Sequence, residues 1–338
     1  MKMAFRRKGV RLFGGLVLAG LLAGGAGGAA AEDMDLSSAQ GFVRVLTGSP
    51  QGTWPPSCAK LSELMAIRMP NVVVSCSTGS VYSNMEALQD GNVEMIFSLT
   101  DALDGAYNGT GRHEGNAIDS MRYVASLQPI VTYAISRADA GVESVADILT
   151  KPLQIAAFTP GSGTYEWNQK VFKAYGTSLE EFEARGGTVS NVSYGEGFQL
   201  MKDGQIDLLI FPTGVPASPV IEAEATMDIV WHPLSEEARQ NMIDSTPGAS
   251  DMTLGADVYE SLGEDYETVG TYTALVVSEE LSDEIVYGIT AALWDNLEEF
   301  QKIGAFARQV QFENALHGRT IPLHPGAERY YREKGVLE

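Results

Sequence analysis

The sequence predicts an α/β fold built as two lobes of similar design, and three observations carry that prediction. A strand-like run passes twice through small residues into Gly-Thr-aromatic. FVRVL at 42–46 leads into TGSPQGTWPP at 47–56, and LQIAAF at 153–158 leads into TPGSGTYEW at 159–167. The helix stop QDGNVEMIF at 89–97 matches KDGQIDLLI at 202–210, each reading polar-Asp-Gly-amide and then apolar-acid-apolar. The third is VVVSC at 72–76, a continuous apolar run of the kind a strand buried on both faces shows. With 338 residues, 44% of them hydrophobic, the chain is long enough for two domains with cores of their own.

The elements follow in order. Lys2, Arg6, Arg7, Lys8 and Arg11 precede an apolar, Gly-rich stretch at 12–23, and Ala29-Ala30-Ala31 stands just before Glu32-Asp33. That is the pattern of a cleaved signal peptide over 1–31; the stretch is short and glycine-diluted against the roughly 20 apolar residues of a membrane span. Arg6-Arg7 resembles a twin-arginine signal, but Gly9 stands where that signal wants a bulky residue, so general secretion is expected. After Trp54 the apolar residues Leu61, Leu64, Met65 and Ile67 recur at helical spacing until Pro70. The strand at 72–76 leads to Ser77-Thr78-Gly79-Ser80, then to a helix carrying Val81, Met85 and Leu88, stopped by Asp90-Gly91, then to a strand at 93–98. The second half repeats this grammar. A strand at 153–158 precedes a helix presenting Trp167, Val171, Phe172 and Tyr175. A strand at 188–194, a short helix through Phe198 and Met201, and a strand at 206–211 complete it.

Charge and cysteines narrow the setting. The formal net charge is −21, and loss of 1–31 would remove five basic residues and no acidic ones. So acidic a chain repels nucleic acid and anionic lipid, which excludes both as partners. Cys58 at a helix start and Cys76 at a strand end fall at one edge of a parallel layer. They read either as a disulfide, in an oxidising compartment, or as two small buried hydrophobes. His113, His232, His317 and His324 form no H-E-x-x-H or close pair, and no metal or other cofactor is expected.

The doubled junction has a chemical use. Open α/β sheets bind ligands beyond the carboxyl ends of their strands, where helix N-termini offer unpaired N–H groups and partial positive charge. Glycine lets a ligand approach the backbone, and Ser or Thr adds short neutral donors. Two lobes turning such edges together would close on one small anion. The expected ligand residues are Gly48, Ser49, Gln51, Thr53, Trp54, Thr78, Gly79 and Ser80 from one lobe. From the other come Ser162, Gly163, Thr164 and Tyr165, with Thr213 and Gly214. None of these loops contains Lys or Arg. Glu166, directly after the second loop, has two readings: facing solvent in the first turn of its helix, or lining the cleft, where it would favour a ligand with an ammonium group.

In this order, behind a signal-like segment, the motifs resemble the TAXI family of solute receptors of TRAP transporters. The resemblance rests on the loop 47–54, Ser77-Thr78-Gly79-Ser80, Ser98-Leu99-Thr100-Asp101, PGSGT at 160–164, Asp203-Gly204-Gln205-Ile206-Asp207, and PLHPGA at 322–327 with Tyr330, Tyr331 and Glu333. The chain departs from the family where Ser49, Pro50 and Gln51 interrupt the first loop, where Trp54 replaces the usual Tyr, and where the second loop keeps one glycine. The resemblance implies a hinged, two-lobed periplasmic binding protein fold of type II character, with lobe I over 32–130 and 271–338 and lobe II over 131–270. The chain would cross between them near 127–135 and 268–277. It implies a monomeric, non-enzymatic receptor delivering a small organic anion to a TRAP-type permease, drawn from C4–C5 dicarboxylates, 2-oxoglutarate, or glutamate-like amino acids. Two other readings stand beside it: a periplasmic sensor presenting its ligand to a signalling receptor, and an exported serine enzyme using Ser57 and Lys60, which fit S-x-x-K but lack a companion K-T-G.

Overall fold

The computed structural model describes residues 36–338 except 49, 51 and 161; the expected signal peptide at 1–31 lies outside them. The first half runs β1 (Gln40–Leu46), α1 (Trp54–Arg68), β2 (Asn71–Ser77), α2 (Val81–Gln89), β3 (Met95–Leu99) and α3 (Thr100–Asn108), and then enters the long β4 (Met121–Arg137). The second half runs β5 (Gln154–Ala156), α4 (Gly163–Ala174), α5 (Leu179–Ala184), β6 (Thr188–Ser190), α6 (Tyr194–Lys202), β7 (Leu208–Gly214) and α7 (Ser218–Glu224). It continues through β8 (Ile229–Trp231), α8 (Glu236–Ser245) and β9 (Ser250–Leu254). The long β10 (Tyr266–Ser278) then returns to the first half, where α9 (Asp283–Trp294), α10 (Leu297–Gln301) and α11 (Pro325–Glu333) follow.

The strands join in the order β2-β1-β3-β10-β4-β7-β5-β6, with β8 on β4 and β9 on β10. Each half therefore repeats one pattern. β1 lies parallel between β2 and β3, and β5 lies parallel between β6 and β7. A long antiparallel strand then follows, β10 on β3 and β4 on β7. Those two long strands pair with each other from Met121↔Ser278 to Gly270↔Val131, then part to take β7 and β9 as further neighbours. The result is an α/β, two-lobed fold whose halves share two strands, and the stretches 127–135 and 268–277 lie inside them.

Alternating side chains build the cores. In β7, Leu208 and Ile210 face a cluster with Trp167, Val171, Phe172 and Phe182, while Leu209 and Phe211 face another with Tyr133, Phe158 and Met201. A third cluster joins Met85 and Leu88 of α2 to Ile96, Leu103 and Tyr123. Each such side chain contributes roughly 1.5–3 kcal/mol by leaving water.

Three expectations need correction. β2 is not buried on both faces: it pairs with β1 alone, so Val72 is buried while Val73 is 55% exposed. An edge strand has only one neighbour to shelter it. The strand expected at 188–194 ends at Ser190, because Ser193 caps α6 by accepting from Glu196 N at 3.4 Å, and Tyr194 becomes the first helical residue. The strand expected at 153–158 stops at Ala156, and Phe158 turns the chain with φ 68°. That left-handed conformation is costly for a bulky residue; Tyr194 stacks on the Phe158 ring at 5.5 Å.

Cys58 in α1 and Cys76 in β2 form a disulfide with their Cα atoms 6.2 Å apart. Closing a loop of 18 residues is worth about 3 kcal/mol through the unfolded state. The denatured protein should label at two thiols only after reduction, and the reduced protein should melt at a lower temperature. Labelling without reduction, or an unchanged melting point, would count against the bridge.

Candidate binding cleft

The two doubled junctions both open helices, but in different registers. α1 begins at Trp54 with Thr53 as its cap, whereas α4 begins at Gly163 with Ser162 as its cap, its Oγ accepting from Tyr165 N at 3.2 Å. The aromatic of the first junction is thus the first helical residue, and that of the second is the third. The tertiary counterpart of Trp54 is Trp167. Trp54 Nε1 donates to Thr273 Oγ1 on β10 at 3.0 Å, and Trp167 Nε1 donates to Thr132 Oγ1 on β4 at 2.8 Å. Each half fastens its first helix to its long antiparallel strand by an indole N–H.

The first-half loops are tied together by a residue that the sequence reading missed. Asn84, fully buried in α2, donates through Nδ2 to Thr47 O at 2.8 Å and Phe97 O at 2.9 Å, and accepts from Ser80 N at 3.0 Å. It joins loop 47–54, loop 77–80 and β3. Gly79 is required by this packing: a methyl there would lie 2.0 Å from Asn84 Oδ1 and 3.3 Å from Thr47 O. Asn168 does similar work in α4, donating to Ile210 O at 2.8 Å and Thr164 O at 3.1 Å. Phe97 and Ile210 are the matched last positions of the two doubled stop motifs. A signal was present, since both asparagines sit on the apolar stripes Val81-Met85-Leu88 and Trp167-Val171-Phe172, where a polar residue must be satisfied if buried.

The other expected site residues divide. Thr53 Oγ1 accepts from Gln128 Nε2 of β4 at 2.8 Å, and Gly48 backs onto the Trp54 ring. Thr78 and Ser80 are exposed, and Ser80 shares its hydroxyl with Ser83 at 2.8 Å. Ser49 and Gln51 lie outside the described residues. Thr213 and Gly214 end β7 opposite Val131 and Ile130, and Gly214 O accepts from Tyr133 OH at 3.2 Å. Thr164 and Tyr165 are half-buried in the first turn of α4, beside Gly163, which faces Leu99 at the β3–α3 junction. The structure thus brings the second junction against the end of β3.

Glu166 does not face open solvent. Its carboxylate accepts from Tyr82 OH and from Arg112 Nη1 at 2.9 Å, and the Arg112 guanidinium lies 4.3 Å over the Tyr82 ring. Burial, and then Glu166 itself, push the Tyr82 pKa well above its usual value, so Tyr82 stays a neutral donor. Arg112 follows α3 in sequence, outside every loop that the pattern singled out, and puts a cation at this seam. Neither part of the S-x-x-K pair is arranged for chemistry. Ser57 is buried with Oγ donating to Thr53 O at 2.8 Å, and Lys60 Nζ pairs with Glu63 at 2.8 Å. His324 Nδ1 caps α11 by accepting from Gly326 N at 3.2 Å.

Comparison with known proteins agrees with this architecture. The NMT1-like family matches residues 45–335. A TctC solute binding protein from Polaromonas, solved without ligand, is 15% identical with a TM-score of 0.50, over 88% of this chain and 98% of that one. MatC from Rhodopseudomonas palustris, solved with bound malate, is also 15% identical with a TM-score of 0.50, over 88% and 99%. At such identity the likeness concerns the fold, which is that of solute-binding proteins.

Proposed function

The chain belongs to the NMT1-like family, and from that premise we propose that it is a periplasmic receptor that captures a small organic anion between its lobes. The observation that carries this reading is the placement of two Ser/Thr/Gly-lined junctions, those that open α1 and α4, at the carboxyl ends of the first strands of two matching half-sheets. α4 adds free N–H groups at its start, whereas α1, opening Trp54-Pro55-Pro56, relies on the hydroxyls and backbone of its preceding loop. The lobes are 32–130 with 271–338 and 131–270, hinged where β4 and β10 part. Closure on the solute is a population shift, and no bond chemistry is involved. The TAXI resemblance adds a TRAP-type permease as the partner, the basic, apolar and Ala-x-Ala pattern of 1–31 adds a cleaved signal, and the receptor acts as a monomer.

A dicarboxylate such as 2-oxoglutarate ranks first and a glutamate-like amino acid second. Glu166 supports this order, because Arg112 and Tyr82 already answer its charge and it does not call for an ammonium group. MatC, of the same fold, holds the dicarboxylate malate. Micromolar binding needs about 8 kcal/mol. A few hydrogen bonds to a charged group, at roughly 1.5–3 kcal/mol each, supply it. The ligand residues are those expected from the loops: Gly48, Ser49, Gln51, Thr53, Trp54, Thr78, Gly79 and Ser80 facing Ser162, Gly163, Thr164, Tyr165, Thr213 and Gly214.

Calorimetry with 2-oxoglutarate, succinate and glutamate tests the reading. Micromolar binding is expected for the first, and Thr164→Val should weaken it by about 1–3 kcal/mol, one hydrogen bond to the ligand. Unchanged affinity in a folded variant removes the second loop from the site. Tight binding of an uncharged sugar with no carboxylate response overturns the anion assignment.

A further inference from the structure

The seam between the halves is closed by charge as well as by shape. Glu166 and Lys170 are four residues apart on α4 and so share one helix face. Across the seam, Glu166 meets Arg112 and Tyr82, and Lys170 Nζ meets Asp101 Oδ2 at 2.5 Å. All three opposing residues belong to the first half: Tyr82 is in the first turn of α2, Asp101 in the first turn of α3, and Arg112 just beyond it. Aromatic rings back both cations, Tyr82 under Arg112 at 4.3 Å and Trp167 near Lys170 at 5.3 Å.

We infer that Glu166 and Lys170 form a two-rung electrostatic latch that holds the cleft shut, so that part of the closing free energy comes from the protein rather than from the solute. This inference rests on the hinged-receptor reading above and adds closure residues to it. The rungs differ in kind. In the outer one the Arg112 and Glu166 side chains are 47% and 25% exposed, so salt screens the pair and its worth is modest. In the inner one the Asp101 side chain is 7% exposed, with its Oδ1 buried and without a partner. Removing Lys170 would leave that carboxylate buried and uncompensated in the closed state, a larger penalty than losing an exposed pair. Lys170→Met should therefore open the cleft more than Glu166→Gln does, and added salt should act mainly on the outer rung.

The test is a distance measurement on the full solute-free protein. Spin labels on non-natural residues at the exposed positions Glu86 in α2 and Lys173 in α4 leave the Cys58–Cys76 bridge intact. At low salt the wild type should show a dominant short distance. Glu166→Gln should lower the closed-to-open ratio about threefold and Lys170→Met about tenfold or more. Lys170→Met combined with Asp101→Asn should recover closed population relative to Lys170→Met alone, because the unpaired charge is gone; a merely misfolded variant would not recover. High salt should abolish the difference between wild type and Glu166→Gln. Identical distance distributions for all proteins at both salts overturn the latch, and absence of recovery in the double variant overturns its inner rung. No solute is present in these measurements, so a failed carboxylate screen would refute the ligand assignment and leave this result standing.

Discussion

Asn84→Ala is expected to lower the stability of the protein by about 3–5 kcal/mol. From a fully buried position the side chain donates to Thr47 O and Phe97 O, which lose this donor in the variant, and accepts from Ser80 N, which keeps Ser83 Oγ at 3.2 Å. Each group left unpaired in the interior costs about 1–3 kcal/mol. Urea unfolding of the wild type and the variant, with equal slopes, reads the difference directly. Asn84→Asp separates the contributions. It keeps an acceptor for Ser80 N but loses both donors and sets a negative charge against two carbonyl oxygens, so it should be at least as damaging. Both variants should also lose solute binding, because loops 47–54 and 77–80 are fixed to one another through this residue. A loss below about 1 kcal/mol would mean that water replaces the side chain and that Asn84 does not organise the loops.

Gly270→Ala should be comparably severe for a different reason. Gly270 lies in β10 between Val131 of β4 and Ser250 of β9, where the two long strands part. An added methyl would lie 2.4 Å from Ile130 O, 2.6 Å from Met252 Sδ and 3.0 Å from Val131 Cα. The methionine can move aside, but the backbone can do so only by separating β4 from β10. Overpacking typically costs about 1–3 kcal/mol, and the upper end is expected because paired backbone has to shift. If the point where the strands part is the hinge, the variant should also change the lobe separation in solution scattering. Wild-type stability and separation together would show that the strands tolerate a side chain there and that the close approach is not needed. TVGTYTALVV at 268–277 carries a hint of this, since glycine inside a strand often marks close backbone approach.

The sequence by itself determined most of the helices and strands within 42–98 and 153–211 and the presence of two similar halves, while the elements after residue 211 were not read from it. It also located the glycine-rich junctions and placed the two cysteines at one edge of the sheet. These features are written locally: Pro70, Asp90-Gly91 and Asp203-Gly204 stop helices, and apolar spacing sets helix or strand within a few residues. Only the tertiary structure decided that β10 lies between β3 and β4, that β2 is an edge strand, and that the aromatic residue equivalent to Trp54 is Trp167 rather than Tyr165. It likewise decided that Asn84 and Asn168 reach carbonyls 13 and 42 residues away, and that Glu166 turns to Arg112 and Tyr82 instead of water. The physical reason is one of range. Backbone propensity and capping act within a turn or two, so a single stretch reveals them. The partner of a buried amide or carboxylate is chosen by which distant groups share its low-dielectric surroundings once the halves have packed.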